Sequence, residues 1–159
     1  MALPDGIRVG LFFGTTSGGI TTCGLLVGLA AGTGSLEAVL GGILVIAVAD
    51  SMSDALGIHI SEESAPNTDA RHVWTATVVT FLAKLLVAAS FALPFFFTPL
   101  QPATFLALGW GAFLLTALSW QLARLQSEPA IPIIAEHLMV GTLVVVLSHG
   151  VGLWVAHAF

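Results

Sequence analysis

The chain has 159 residues, 57% of them hydrophobic and only 8% charged, with a mean hydropathy of +1.00. A soluble domain of this size would need far more charge to cover its surface, so the composition is that of an integral membrane protein. Lys84 and three arginines are the only lysine or arginine side chains, which excludes a basic nucleic-acid-binding surface, while a formal net charge of −5 hints at cation handling.

Hydropathy read against turn signals predicts an all-α bundle: one transmembrane domain, residues 1–159, with five spans at about 9–31, 36–60, 73–97, 103–125 and 137–156. The first run, Val9 to Ala31, is too long for the apolar region of a cleavable signal and is expected to stay as a span. Its glycines recur every four residues, at Gly10, Gly14 and Gly18 and again at Gly24, Gly28 and Gly32, giving surfaces for close helix approach within the chain or in a homodimer. Its middle, Thr15 to Cys23, is unusually polar. Either the helix unwinds locally there and exposes groups that coordinate a cation, or Ser17, Thr21 and Thr22 bond back to their own helix. Cys23 is the sole cysteine, so no internal disulfide can form.

Gly32 to Ser35 is a tight link to the second span, where Asp50 and Asp54 interrupt an apolar run. Four residues apart, they share one helical face about 6 Å apart along the axis. A carboxylate at membrane depth costs several kcal/mol unless paired, neutralised or hydrated, so these two imply a polar partner or pathway. Their oxygens suit manganese, magnesium or ferrous iron, and Met52 from the same turn would bias a site toward softer metals. Further along, His59, Glu62 and Glu63 suggest an entry vestibule or a solvated helix end.

Ser61 to His72 is expected as a polar link to the third span, which carries Lys84 near mid-membrane, either paired with Asp50 or Asp54 or exchanging places with an incoming cation or proton. Thr98 to Pro102 joins the fourth span, and Gln126 to Glu136, with Pro129 and Pro132, is expected as an interfacial elbow before the fifth. There His149 lies at a similar depth to Lys84 and has the chemistry for proton exchange or metal ligation, or simply bonds to a neighbour. Arg8, Arg71 and Arg124 fall on one side of this topology, which places the N-terminus in the cytoplasm and the C-terminus opposite.

The first span, Gly14, Thr15, Thr16, Ser17, Gly18, Gly19, Ile20, Thr21, Thr22, and a second span of small residues leading to Ser51 and Met52 resemble the vacuolar iron transporter family and its yeast calcium-cross-complementer relatives. The resemblance covers two spans by motif and the rest by topology. It implies a five-span carrier that exchanges ferrous or manganous ion for protons across a dimer, with Met52 matching the family's second-span methionine. Gly18 stands where the family has its first-span aspartate, the cytoplasmic metal-binding helices are missing, and Lys84 has no counterpart in the family pattern.

The leading expectation is therefore a proton-linked carrier of divalent transition-metal cations. Its pathway is formed by Asp50, Met52, Asp54, Thr21, Thr22 and Ser17, with Asp50, Asp54 and Met52 as metal ligands and His59, Glu62, Glu63, Lys84 and His149 in entry or coupling roles. The expected partners are the bilayer, a second copy and the transported metal, with no resident cofactor and no nucleic acid. An anion or polar-solute carrier, favoured if Lys84 is free of carboxylates, and a non-transport scaffold are the alternatives. No catalytic constellation and no phosphate-binding loop is present, so enzymatic chemistry is not expected.

Overall fold

A computed structural model describes residues 4–66 and 68–159. The described residues form helices only: α1 (Asp5–Thr33), α2 (Leu36–Ser64), α3 (Ala70–Ser90), α4 (Leu93–Phe97), α5 (Leu100–Gln126) and α6 (Ala130–Ala158). With α3 and α4 counted as one span, Ala70–Phe97, five segments are long and apolar enough to cross a membrane. The chain is an all-α, multi-pass membrane bundle.

The helix ends follow local chemistry. Gly34 adopts the left-handed conformation, φ 59°, and its N–H closes α1 on the Ala30 carbonyl. Ser35 then caps α2 by accepting from Ala38 N at 3.1 Å, and Asp69 caps α3 by accepting from His72 N at 2.7 Å. The third span breaks between Ser90 and Leu93 because Pro94 has no N–H to donate into the preceding turn. Ser127, at φ 59°, ends α5, and Pro129 precedes α6.

Two connections are shorter than expected from the sequence. The second link spans residues 65–69 rather than Ser61 to His72, because the capping by Asp69 and four further helical residues of α2 extend both helices into it. The elbow expected over Gln126 to Glu136 shrinks to residues 127–129. Pro132 lies in the first turn of α6, where its missing N–H would have had no intrahelical acceptor.

Short links make successive spans antiparallel. The α2–α3 and α5–α6 links lie with the start of α1 at one end, here the link end, and the α1–α2 and α4–α5 links lie at the other. Helix α1 is central, packing against α2, α3, α5 and α6, whereas α6 touches α1 and α5 and turns most of its surface outward. The glycine rhythm of α1 is used within the chain. A Cβ on Gly10 would sit 2.8 Å from Ala76 O and Thr80 N, and one on Gly14 would sit 2.7 Å from Thr80 O, while Gly24, Gly28 and Gly32 face Val144, Ser148 and Gly152 of α6. Backbone approach of this kind is what small residues permit in a medium that supplies no hydrophobic drive between helices.

The apolar core is not central in depth. Leu26, Val27, Val39, Ile43, Phe91, Ala92, Phe95, Ala103 and Ala107 all belong to the half of the bundle away from the link end. In the other half, α1 and α3 meet through glycine against backbone.

Candidate ion-pair site at mid-membrane

Lys84 of α3 is one of the largest fully buried side chains among the described residues and the only charged one, and it lies near the middle of its span. It passes α1 at Gly18: a Cβ there would fall 3.2 Å from Lys84 Cγ and from its carbonyl oxygen, a tight contact that the missing side chain of residue 18 avoids. The ammonium donates to Asp54 Oδ2 at 2.5 Å and to Ser17 Oγ at 3.0 Å, and Ser17 Oγ in turn donates to Asp54 Oδ2 at 2.6 Å. Asp50 Oδ2 is also 2.5 Å from Nζ, as an ion-pair contact whose approach angle does not make a hydrogen bond. Three helices thus converge on one cation.

Two carboxylates against one ammonium leave the cluster with a formal charge of −1. The cluster is not sealed, because the Lys84 side chain is 2% exposed while those of Asp50 and Asp54 are 30% and 22% exposed. A buried ion pair repays its desolvation only when geometry and extra hydrogen bonds are good, and here the hydroxyl of Ser17 supplies the extra bonds.

Hydroxyls divide sharply around this site. Across the bundle they bond back to a carbonyl of their own helix, as Thr21 does to Ser17 O at 2.6 Å, Thr104 to Leu100 O and Thr116 to Ala112 O. Thr22, Ser51 and Thr80 are fully buried yet have no hydrogen-bond partner in the protein. Ser51 is adjacent to Asp50, Thr80 is one turn before Lys84, and Thr22 is one turn beyond Gly18. An unpaired buried hydroxyl costs about 1–3 kcal/mol, and these three sit on the three helices that hold the lysine. Buried hydroxyls left without a protein partner on the helices that carry the carboxylates are groups that an ordered water would satisfy.

The sequence-predicted residues therefore separate into groups. Ser17, Asp50, Asp54 and Lys84 come together. Thr21 is spent on its own helix, and α1 runs unbroken through Thr15 to Cys23, so the local unwinding considered from the sequence does not occur. Met52 lies on the opposite flank of α2 from the carboxylates, 57% exposed, in an outward groove with Leu56, His59, Trp74 and Phe81. From there it does not share a site with Asp50 and Asp54. His149 is exposed on α6 and does not reach the cluster. Among the described residues, no group of three or more histidine, cysteine, aspartate or glutamate side chains is arranged to hold a metal.

His59, Glu62 and Glu63 occupy the link end of α2. Thr77 donates its only proton to Val73 O at 2.7 Å, so His59 Nδ1 is the donor in the 2.9 Å bond to Thr77 Oγ1. The other nitrogen, Nε2, lies 3.9 Å from the exposed Glu63 carboxylate. Glu62 pairs with His72 at 2.8 Å, tying the end of α2 to the start of α3. The sequence reading missed His72. The i to i+10 spacing across a five-residue link was the available signal, and it was masked by the expectation of a longer loop.

Fold and site together define a multi-pass helical membrane protein with a charged cluster around a buried lysine in the middle of its spans. No family model, no curated protein and no solved structure matches the chain.

Proposed function

We propose that this protein is a gradient-driven cation carrier whose substrate site is the Asp50, Asp54, Lys84 and Ser17 cluster. The observation that carries this reading is the shared ammonium: two carboxylates hold one lysine, leaving a negative charge and unpaired hydroxyl oxygens at mid-membrane. Intramembrane carboxylates are expensive and persist where they serve an ion pathway. Divalent transition metals, ferrous or manganous ion, are the proposed cargo, in exchange for protons, as the resemblance to vacuolar iron transporters implies. Oxygen ligands from Asp50, Asp54 and Ser17 suit manganous and ferrous ions. The thioether of Met52 would contribute only after a rotation of α2.

The anion-carrier alternative would be favoured by a Lys84 free of carboxylates, and its ammonium lies against two. A homodimer with a cytoplasmic N-terminus belongs to the same proposal. The dimer would use a face other than the α1 glycines, which are consumed by α3 and α6. Uptake of manganous ion into proteoliposomes, measured with and without an imposed proton gradient, tests the reading. Uptake that accelerates with the gradient supports it, and uptake at the rate of empty liposomes for both manganous and ferrous ion removes it.

A further inference from the structure

We propose that, in this conformation, the Lys84 cluster opens to water at one membrane face only, through a cleft between α1 and α2 that runs along Asp54, Gly57 and Ser61 to the link end. This rests on the carrier reading for its purpose but not for its geometry. Asp50, Asp54, Gly57 and Ser61 follow one another at helical spacing along a single flank of α2. Burial falls along that line: the two aspartates are partly exposed, and Gly57 and Ser61 are exposed. A Cβ on Gly57 would meet nothing within 4 Å, so no side chain of α1 or α3 closes over it.

Length agrees with a path to the surface. From Asp54 to Ser64, the last residue of α2, is ten residues, or about 15 Å of helix, which is half of a hydrocarbon core of about 30 Å. A carboxylate open toward hydrocarbon along such a line would cost several kcal/mol, so the open side of Asp50 and Asp54 needs water.

The opposite direction is closed. On the same flank of α2, one and two turns past Asp50, come Ile46 and Gly42, and a Cβ on Gly42 would collide with Leu29 and lie 3.1 Å from Leu25 of α1. Behind them stand Leu26, Val39, Ile43 and Phe91, all with no exposed surface. Helices α1 and α2 thus touch through leucine side chains on the far side of the site, whereas on the link side Gly57 has open space beside it and Ser61 is exposed. One half is a seal and the other a cleft, the asymmetry that a carrier needs in order to present its site to one compartment at a time.

The test uses the full-length protein in sealed vesicles with Cys23→Ala removing the native thiol. Single cysteines are placed at Gly57→Cys and Ser61→Cys on the cleft and at Ile46→Cys on the sealed flank. Ala65→Cys and Glu37→Cys, both exposed, report which face is which. Thiols react with a charged, membrane-impermeant thiosulfonate only where water admits the reagent and supports the thiolate. Gly57→Cys and Ser61→Cys are therefore expected to react within about tenfold of the Ala65→Cys rate, from the Ala65 face alone, with Ile46→Cys at least about a hundredfold slower from either face. Three results would overturn the proposal: labelling of Gly57→Cys from the Glu37 face, labelling by a permeant maleimide only, which places the flank in lipid, or protection from both reagents, which places it under another chain. The expected labelling in a protein that carries no cation would leave the cleft standing and remove only the carrier reading.

Discussion

Replacing Lys84 by methionine keeps most of the side-chain volume and removes the charge. Asp50 and Asp54 then face each other without the ammonium 2.5 Å from each, and Ser17 loses its 3.0 Å donor. Removing one partner of a buried pair costs about 3–5 kcal/mol because the remaining charge is stranded. The lower end applies here, since both aspartates are partly exposed. The same principle predicts a rescue. Lys84→Met combined with Asp50→Asn and Asp54→Asn removes the stranded charges and should recover most of the loss. Reversible unfolding in mixed micelles, followed through the intrinsic fluorescence of the four tryptophans, gives the free energies. A Lys84→Met penalty below about 1 kcal/mol, or a triple variant no more stable than the single one, would refute the claim that this lysine holds the three helices through its two carboxylates.

Asp54→Asn should destabilise more than Asp50→Asn, because Asp54 Oδ2 accepts from both Lys84 and Ser17 whereas Asp50 makes an ion contact only; the same unfolding assay ranks them. In the Lys84→Met variant, manganous ion at a hundred times its dissociation constant should restore about 2.7 kcal/mol, and the triple variant should not respond, which a thermal-shift titration reads directly. Gly10→Ala should cost about 1–3 kcal/mol because its Cβ would sit 2.7 Å from Val79 Cβ and 2.8 Å from backbone atoms of α3, while Gly19→Ala, with nothing within 4 Å, should be neutral or stabilising by up to about 1 kcal/mol. Glu62→Gln should loosen the α2–α3 junction by no more than about 1 kcal/mol, since its pair with His72 is partly exposed, and faster amide exchange at the start of α3 would report it.

The bundle was legible in the sequence because apolar runs of membrane length leave little choice: the five spans stand where hydropathy placed them, with longer ends. The ends were misjudged where capping decided them, at Asp69 and at Pro132, because hydropathy does not see a side-chain cap or a proline tolerated in a first turn. The matching depth of Asp50, Asp54 and Lys84 was legible, but depth left open whether the lysine pairs with one aspartate or exchanges with a cation, and the double contact is set by the packing of α3 against α1 and α2. His149 matched them in depth as well and fails to join, because depth says nothing of which way a helix faces, and α6 turns that side outward. Met52 misled for a related reason: two residues from Asp50 is about 200° around the helix. Ser17 is one of several polar residues of α1, and only the crossing of α1 over α3 at Gly18 singles it out.

The most direct test of the carrier account compares manganous ion uptake by wild-type, Asp50→Asn and Asp54→Asn proteins reconstituted at equal folded amounts. Asparagine keeps the shape and polarity of each side chain and removes the charge that would meet the cation. Uptake by the wild type that falls to the level of empty liposomes in Asp54→Asn, and is reduced in Asp50→Asn, is the predicted result. Wild-type uptake retained in full by both variants would contradict it, and would move the cation path away from the Lys84 cluster.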